Sequence, residues 1–460
     1  MDRKTSRART QILSDSRSSK FSLIRDVTVF AYLIVNFTAI SIPFSAFSAV
    51  ETDLSEGSLF WQILVPSFFG IAVLLTIYGQ TSFRQVAAIA IPLAPILIWI
   101  LLSATWSDFP DVTVKRAVRT TMETGTAILL AVAYRDQYRL LRVSYFAFCS
   151  IIAIDIALLT APQLSFSPDG YTGVHYHKND TAIFYLLAFP IFLLGCIDPK
   201  IFYPRLVSGL FALCCLVFLV LSQSKTALPV LPLCLAITFG LILTKRLGAQ
   251  YPVVIVFIIA CVTALGVLFV TAVGLDNFLS FFVEDLTFSG RTAIWNYTLL
   301  LFSERPILGH GFGAIWNAGV YSLAQQQILN INFVLKHAHN GYIGILAELG
   351  IIGLVLTIGF LFATLWRLWA RIPREKVNRI NFIAIYALFA NCLINITEVS
   401  FFQLGSNLWI YFMLTSSAAF SIVFLPERAV ELETKSNPQR TRKFPSPRGW
   451  KPTVSSWHNR

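Results

Sequence analysis

Residues 337–366 read HAHNGYIGILAELGIIGLVLTIGFLFATLW, and this stretch decides the fold. From Tyr342 onward it holds a single charged side chain, Glu348. A helix needs about 20 mostly apolar residues to cross the hydrocarbon core of a bilayer. The stretch therefore predicts a membrane-spanning helix that is entered through a short polar segment containing His339 and Asn340.

The rest of the chain has the same character. Of its 460 residues 56% are hydrophobic and 13% are charged, and the mean hydropathy is +0.67. Soluble proteins carry about 25% charged residues. We therefore expect an all-α polytopic membrane protein with about 12 transmembrane helices. The predicted spans lie near residues 27–48, 58–78, 86–104, 118–134, 142–161, 181–197, 206–222, 227–244, 252–273, 342–366, 380–397 and 405–425.

One long polar stretch, residues 275–340, separates the ninth predicted span from the tenth. It contains clusters of polar residues and glycines, so we expect the chemistry of the protein to reside there. The predicted domains are a basic N-terminal segment (1–26), a transmembrane domain (27–425) that includes this loop, and a basic C-terminal tail (426–460). Both terminal segments have the composition of solvated chain.

The distribution of positive charge predicts which side of the membrane each loop faces. Lysine and arginine concentrate in cytoplasmic loops. With the N-terminus inside, 28 of the 36 basic residues fall in inner segments. Both termini are therefore predicted to be cytoplasmic, with the 275–340 loop on the outer face. The eight outer basic residues are Lys115, Arg116, Arg119, Lys178, Lys225, Arg291, Arg305 and Lys336.

Several classes of function are disfavoured. The net charge of +12 is explained by topology and by affinity for membrane lipid, so no nucleic-acid partner is expected. There is no phosphate-loop or dinucleotide-binding motif, and no cofactor is predicted. The seven cysteines lie in or beside apolar runs without a C-x-x-C pair. Two H-x-H pairs occur outside, but residues at i,i+2 of a helix point apart, so no metal site is predicted.

The outer cations contradict the general charge trend and invite a functional explanation. Lys115, Arg116 and Arg119 can share one face of the fourth predicted span, which would suit a phosphate group. Anchoring in lipid headgroups is the alternative. Three acids inside predicted spans, Glu123 and Glu348 together with Asp155, are placed in the outer half of the membrane. They either border a polar site or are structural partners of nearby groups.

His339 and Asn340 immediately precede the tenth span and are expected at a helix N-terminus. Unpaired backbone N–H groups and the helix dipole favour an anion there. A histidine at this place can act as a base beside a phosphate. The alternative is that Asn340 only caps the helix.

These residues form an ordered set of motifs that resembles a known family. Ser289-Gly290-Arg291-Thr292, the stretch Gly309-His310-Gly311-Phe312-Gly313 and His339-Asn340-Gly341 with Glu348 resemble the signature of the O-antigen ligase and polysaccharide polymerase superfamily. Upstream matches are Trp106-Ser107, His177-Lys178-Asn179 and Ser222-Gln223-Ser224-Lys225. Together they cover about residues 100–365, and the chain is most similar to exopolysaccharide polymerases of the rhizobial type.

The resemblance implies a metal-independent glycosyltransferase of the bacterial inner membrane. It would act at the periplasmic face on glycans carried by undecaprenyl diphosphate, both as donor and as acceptor. The family's loop arginine corresponds to Arg291 and its loop histidine to His339, which we take as the catalytic residues. At the position of Lys225 the family more usually has arginine. Arginine can bind a diphosphate through two parallel hydrogen bonds, which lysine cannot do. The candidate substrate-binding residues are Lys225, Arg119, Arg116, Lys178, Asn340 and Glu348.

Four functions stay open on the sequence. The first is a polymerase that extends lipid-linked repeat units, with a chain-length regulator and export proteins as partners. A ligase that transfers a glycan to lipid A-core would use the same donor and site. A polysaccharide transporter or flippase is disfavoured because no repeat relates the two halves. A structural assembly subunit would have no need of Arg291 or His339.

Overall fold

The computed structural model describes a helical protein with one short β-hairpin. Its described residues are 3–38 (side chains from 19), 59–79, 81–175, 177–202, 204–247, 291–316, 321, 335, 337–372 and 378–422. All of them belong to one compact unit, Met1–Ile422. The predicted all-α polytopic class agrees with this content of helix.

Twelve helices longer than one turn occur in these ranges. The first six are α1 (Arg3–Phe37), α2 (Leu59–Tyr78), α3 (Phe83–Leu102), α4 (Pro110–Val132), α5 (Gln137–Leu158) and α6 (Lys178–Ile197). The others are α7 (Arg205–Leu221), α8 (Ala227–Leu247), α9 (Arg291–Glu304), α10 (Gly341–Ala370), α11 (Arg379–Ile394) and α12 (Asn407–Ile422). Two short turns, Ser103–Thr105 and Pro162–Ser165, and a hairpin of β1 (Phe166–Ser167) with β2 (Gly170–Tyr171) complete the described structure.

A helix occurs in each predicted span except 252–273, which lies outside the described residues, as do residues 39–48 of the first predicted span. Five of the described helices are long and apolar enough to cross a membrane, and three shorter apolar ones also occur. The first helix differs from the expectation, because it begins at Arg3 and includes most of the segment 1–26. Residues 3–37 contain neither glycine nor proline, so nothing in the sequence interrupts the helix.

The described part of the 275–340 loop contains a helix that the sequence analysis treated only as polar chain. Helix α9 packs on α10 through a small apolar cluster that includes Tyr297, Leu301 and Ala347. Ile315 and Trp316, from the glycine-rich segment, complete one side of this cluster. The loop is therefore fastened to the helix whose N-terminus carries His339.

Burial separates central helices from peripheral ones. In α6, 72% of the most apolar stretch is buried, against 17% in α2. Helices α11 and α12 pack on each other, and α12 also packs on α4. The apolar side chains of α2 that remain exposed, such as Ile63 and Ile77, have the character of a lipid-facing surface.

A kink in α10 creates the docking place for the glycine-rich loop. Gly350 has φ 68° and ψ −171°, values that interrupt the helical hydrogen bonds. The carbonyls of Ala347 and Glu348 then accept the N–H groups of His310 (3.0 Å) and Gly311 (2.8 Å). The N–H of Ile351 donates to the carbonyl of Pro306 (2.9 Å). The kink thus converts one helical turn into an edge on which the loop is hydrogen-bonded.

Gly350→Ala should loosen this attachment. A Cβ at Gly350 would collide with the backbone of Ile307, and an alanine is strained at this positive φ. We expect a loss of about 1–3 kcal/mol of stability, seen as a lower midpoint of thermal unfolding in detergent. Gly359→Ala, in the same helix with nothing within 4 Å of the added Cβ, is the matched control and should leave the midpoint unchanged or slightly higher. Equal midpoints for both variants would contradict the proposed role of the kink.

Candidate functional site

The carboxylate of Glu398 joins three of the predicted motifs. Glu398 lies in the 395–406 loop between α11 and α12 and is 7% exposed. Its Oε1 accepts hydrogen bonds from Nη2 of Arg291 (2.6 Å) and from Nδ2 of Asn179 (2.6 Å). Its Oε2 lies 3.1 Å from Nδ1 of His339. Segments more than 200 residues apart in sequence therefore meet on one side chain.

Arg291 occupies the first position of α9 and points toward this loop. Besides the ion pair with Glu398, its Nη1 donates to the carbonyl of Thr397 (2.5 Å). A guanidinium carries five N–H groups, and two of them are used in these contacts. The other three N–H groups make no hydrogen bond within the described residues and are available to a ligand. The side chain is 18% exposed. The predicted candidate is thus both anchored and accessible.

The contact with Glu398 sets the protonation of the His339 ring. An ionised carboxylate can only accept hydrogen bonds, so Nδ1 of His339 carries the proton. In the neutral ring Nε2 is then the basic nitrogen. The side chain is 30% exposed, so this nitrogen can reach a substrate. Glu398 therefore holds His339 in the tautomer that a general base requires.

The backbone around the site contains uncommon conformations. Of the described non-glycine residues, three have positive φ: Gln223 (52°), His339 (51°) and Phe402 (56°). Each lies in a loop that contributes to the site or borders it. Such conformations cost about 1–3 kcal/mol and cluster at functional sites. The strain supports a functional assignment for these loops.

The first backbone N–H groups of α10, which were expected to be unpaired, have hydrogen-bond acceptors in the described structure. Oδ1 of Asn340 accepts the N–H groups of Tyr342 and Ile343, both at 3.0 Å. The N–H of Gly341 donates to the carbonyls of Asn395 (2.8 Å) and Glu398 (3.0 Å). Asn340 therefore caps the helix, and the expectation of free N–H groups for an anion is wrong. The cap instead fixes the position of His339, one residue earlier.

The Ser222–Thr226 motif supports Asn179. Oγ of Ser224 donates to Oδ1 of Asn179 (3.3 Å), which orients the amide so that its Nδ2 faces Glu398. Lys225, in the same motif, is exposed. Lys178 is half-buried and donates to the carbonyl of Asp169 (3.1 Å). Both lysines therefore neighbour residues of the Glu398 network, and substrate binding by them stays a prediction.

Two other candidates hold the glycine-rich loop instead. Oε2 and Oε1 of Glu348 accept the N–H of Gly313 (2.8 Å) and Nε1 of Trp316 (2.5 Å). Nη1 of Arg116 donates to the carbonyls of the same two residues, at 2.9 Å for Trp316. The backbone of a loop presents both N–H donors and carbonyl acceptors. A carboxylate can therefore bind the N–H groups while a guanidinium binds the carbonyls. The described contacts of Arg116 and Glu348 hold this loop, and substrate binding by either residue stays a prediction.

Arg119 has a different environment from Arg116. Its Nε donates to Oε1 of Glu123 (2.8 Å), and its guanidinium lies 5.2 Å from the centre of the Trp61 ring. Oε2 of Glu123 accepts the N–H of Gly405 (2.9 Å), in the same loop as Glu398. The buried acid predicted at 123 therefore links α4 to the 395–406 loop.

The third predicted acid, Asp155, contacts residues just after the hairpin and in α6. Its carboxylate accepts hydrogen bonds from the hydroxyl of Tyr185 (2.5 Å) and the N–H of Val174 (2.9 Å). Nε2 of His175 lies 3.5 Å from the same carboxylate. This favours the structural alternative for Asp155.

The two H-x-H histidines do not point apart. The rings of His337 and His339 are 4.3 Å apart, because the segment is a turn and not a helix. With Glu398 they form a group whose potential ligand atoms lie within 4.8 Å of one another. A divalent cation could be held by such a set. However, Glu398 is already neutralised by Arg291, and a second cation there would be repelled.

Glu398 was missed in the sequence analysis although a signal existed. The spans predicted at 380–397 and 405–425 leave an outer loop in which Glu398 is the one charged residue. Glu398 stands at the boundary of a predicted span, whereas the acids that hydropathy marks as unusual lie inside spans. Which acid neutralises Arg291 depends on tertiary contacts that no local pattern specifies.

The electrostatics of the site keep Glu398 ionised. Burial raises the pKa of its carboxyl, but the hydrogen bond from His339 and the positive charge of Arg291 outweigh this effect, with smaller contributions from the charges of His339 and His337. The pKa of Glu398 therefore lies below its ordinary value of 4.5.

Comparison with known proteins supports the resemblance of the sequence to this superfamily. Residues 210–358 match a family model described as O-antigen ligase. The resemblance to the O-antigen ligase and polysaccharide polymerase superfamily is confirmed. The chain is also 30% identical over 219 residues to the exopolysaccharide production protein ExoQ of Rhizobium meliloti (strain 1021). This alignment covers 45% of the chain and 48% of the relative, so the chain spans about half the length of the curated relative it matches.

Glu398→Gln should destabilise the site in a pH-dependent way. The amide cannot neutralise Arg291, and we expect a loss of about 1.5–3 kcal/mol at neutral pH. A carboxyl whose folded-state pKa is lowered stabilises fully above its unfolded pKa, and this contribution disappears as the pH falls through the folded-state value. The difference in thermal stability between wild type and variant should therefore be present above pH 4.5 and shrink below it.

The control is Asp169→Asn, which changes an exposed carboxylate in the β-hairpin turn. Its unfolding temperature should follow that of wild type across the same pH range. A stability difference for Glu398→Gln that is the same at all pH values would mean that its ion pairs do not stabilise the fold.

Proposed function

We propose that the chain is a membrane glycosyltransferase that joins oligosaccharide repeat units, carried on undecaprenyl diphosphate, into an exopolysaccharide. The match to the O-antigen ligase family model and the likeness to ExoQ support a transfer activity of this type. The observation that carries the proposal is the contact of Glu398 with both Arg291 and His339. It puts a cation and a base in one site, and those are the two groups that transfer from a lipid diphosphate needs.

The proposed reaction is a single displacement at the anomeric carbon of the donor glycan. The hydroxyl oxygen of the acceptor sugar forms a bond to this carbon, while the bond from the carbon to the diphosphate oxygen breaks. Nε2 of His339 takes the proton of the hydroxyl and later releases it to solvent. Arg291 uses its remaining N–H groups to stabilise the charge that develops on the departing lipid diphosphate.

Glu398 and Asn179 have supporting roles in this proposal. Glu398 keeps the proton on Nδ1 of His339 and stabilises the imidazolium that forms during transfer. Asn179 occupies one side of Oε1 and so limits rotation of the carboxylate. Lys225 and Lys178 are proposed to contact the diphosphate or nearby sugar groups. None of these steps requires a metal ion.

We place the site at the periplasmic face of the bacterial inner membrane, with both termini cytoplasmic. The asymmetry of lysine and arginine along the sequence supports this orientation. Within the described structure Arg291, His339 and Glu398 lie at helix ends or in a loop, which agrees with a site at one surface of the membrane. A transporter would be expected to place its ionisable residues near the midplane.

The ligase function, transfer of a glycan to lipid A-core, uses the same donor and the same two catalytic groups. The likeness to ExoQ, an exopolysaccharide production protein, favours the polymerase. A chain-length regulator and export proteins are the partners that this function implies.

Substitution of the two central residues tests the proposal. A charge-assisted contact to phosphate is worth roughly 1.5–3 kcal/mol, so Arg291→Ala should slow transfer about ten- to a hundredfold or more. Arg291→Lys should recover part of the rate, because the charge is kept and the fork is lost. His339→Ala removes the base and should cost about 10² to 10⁴ in rate. The measurement is transfer between purified lipid-linked repeat units in the presence of EDTA.

The matched control is Arg305→Ala, just beyond the other end of α9. Arg305 pairs with the half-exposed Asp108 (2.8 Å) and not with Glu398, so its loss should leave the rate close to wild type. Full-length polymer from the Arg291→Ala and His339→Ala variants would reject the site. Activity that is lost in EDTA and restored by zinc would instead assign a metal to His337, His339 and Glu398. A requirement for the protein only in attachment to lipid A would replace the polymerase by the ligase.

A further inference from the structure

A second cationic centre, distinct from Arg291, lies beside the 395–406 loop. Arg119 uses its Nε for the ion pair with Glu123, and Trp61 lies against the guanidinium plane. Four of its five N–H groups therefore have no hydrogen-bond acceptor among the described residues. The side chain is 25% exposed. Arg119 is held in place on one edge and presents its other N–H groups outward.

This centre and the catalytic centre share one loop. Glu398 contacts Arg291 and His339 at the start of the loop. At its end, the N–H of Gly405 donates to Glu123, and Oγ1 of Thr120 donates to the carbonyl of Phe402 (3.1 Å). Gly405 lies seven positions after Glu398, and a fully extended chain of this length spans at most about 25 Å. Both centres are therefore within reach of one pair of lipid-linked substrates.

An apolar surface adjoins Arg119 on the side of α2. A groove of about 400 Å³ runs along this helix, lined by Leu59, Ile63 and Leu64 among others. Leu64 and Trp61 of the same helix also line a cleft beside Glu123, whose volume of about 10 Å³ has room for about one water molecule. A lipid headgroup at Arg119, which contacts Trp61 of α2, would thus have the apolar surface of this helix beside it for its chain. This is the arrangement that a lipid carrying a phosphate headgroup needs.

Extension of a polymer from lipid-linked units requires two lipid diphosphates at once, a donor and an acceptor. We propose that Arg119 binds the diphosphate of the acceptor lipid, while Arg291 serves the donor. This inference rests on the proposed function and assigns Arg119 a substrate of its own instead of an accessory role toward the donor. Glu123 and Trp61 are positioning residues that orient the guanidinium.

The two substrates can be made chemically distinct to test this. A donor whose non-reducing-end hydroxyl is methylated can give its glycan but cannot accept one. An acceptor joined to its lipid diphosphate through carbon instead of oxygen can accept but cannot donate. Wild type and variants are placed in bilayers of uncharged lipid. The transfer rate is measured as the concentration of one substrate is varied while the other substrate is saturating.

Arg119→Ala should raise the KM for the acceptor about tenfold or more, with the KM for the donor unchanged. Arg119→Lys should also raise only the KM for the acceptor, by a smaller factor. If Arg119→Ala does not insert into the membrane, Arg119→Lys is used in its place. With a soluble oligosaccharide acceptor that lacks the lipid diphosphate, wild type and Arg119→Ala should react at equal rates. The control Lys115→Ala removes an exposed cation one turn away and should change neither KM.

Several results would overturn the assignment. An equal rise in both KM values would make Arg119 a part of the donor site, and no change in either would leave it a purely structural partner of Glu123. The same effect from Lys115→Ala would indicate general attraction of anions. If added phosphatidylglycerol abolishes the difference between wild type and Arg119→Ala, the site belongs to membrane headgroups. Without any transfer by wild type the proposed function fails, and binding of the carbon-linked acceptor to wild type and Arg119→Ala then decides this inference separately.

Discussion

The rest of the site depends on the burial of one carboxylate, Glu398, between a guanidinium and an imidazole. A buried carboxylate is stable only when it is paired and hydrogen-bonded, and three N–H donors from three separate segments satisfy this one. The same requirement brings α9, the turn before α10 and the start of α6 together. The constraint that stabilises the loop is thus also the one that assembles the chemistry.

The helical fold around this site follows from simpler physics. Apolar runs of about 20 residues predict spanning helices, and most of the described helices lie where hydropathy placed them, although α1 and α4 begin well before their predicted spans. Local exceptions have identifiable causes. Gly350 breaks α10 through its positive φ, and the exposed carbonyls then bind the glycine-rich loop. Helix α9 lay within a stretch that was judged by polarity alone, so its packing on α10 was not anticipated.

The site was predictable in part. Arg291 and His339 were identified from motif order, and the structure places them on one carboxylate. Asn340, Arg116 and Glu348 were expected to bind substrate, yet their described hydrogen bonds cap α10 and hold the loop. The sequence shows which residues are polar in an apolar chain. It does not show which backbone N–H and carbonyl groups these residues bind in the folded protein. That distinction depends on tertiary contacts, as does the partnership of Arg291 with Glu398 across 107 positions.

The most direct test of the account is the energetic coupling between Arg291 and Glu398. Single-turnover transfer rates of wild type, Arg291→Lys, Glu398→Gln and the double variant form a thermodynamic cycle. If the carboxylate acts by holding the guanidinium, the double variant should be little slower than the slower single variant. Rate losses that multiply in the double variant would show that the two residues act independently and would contradict the account.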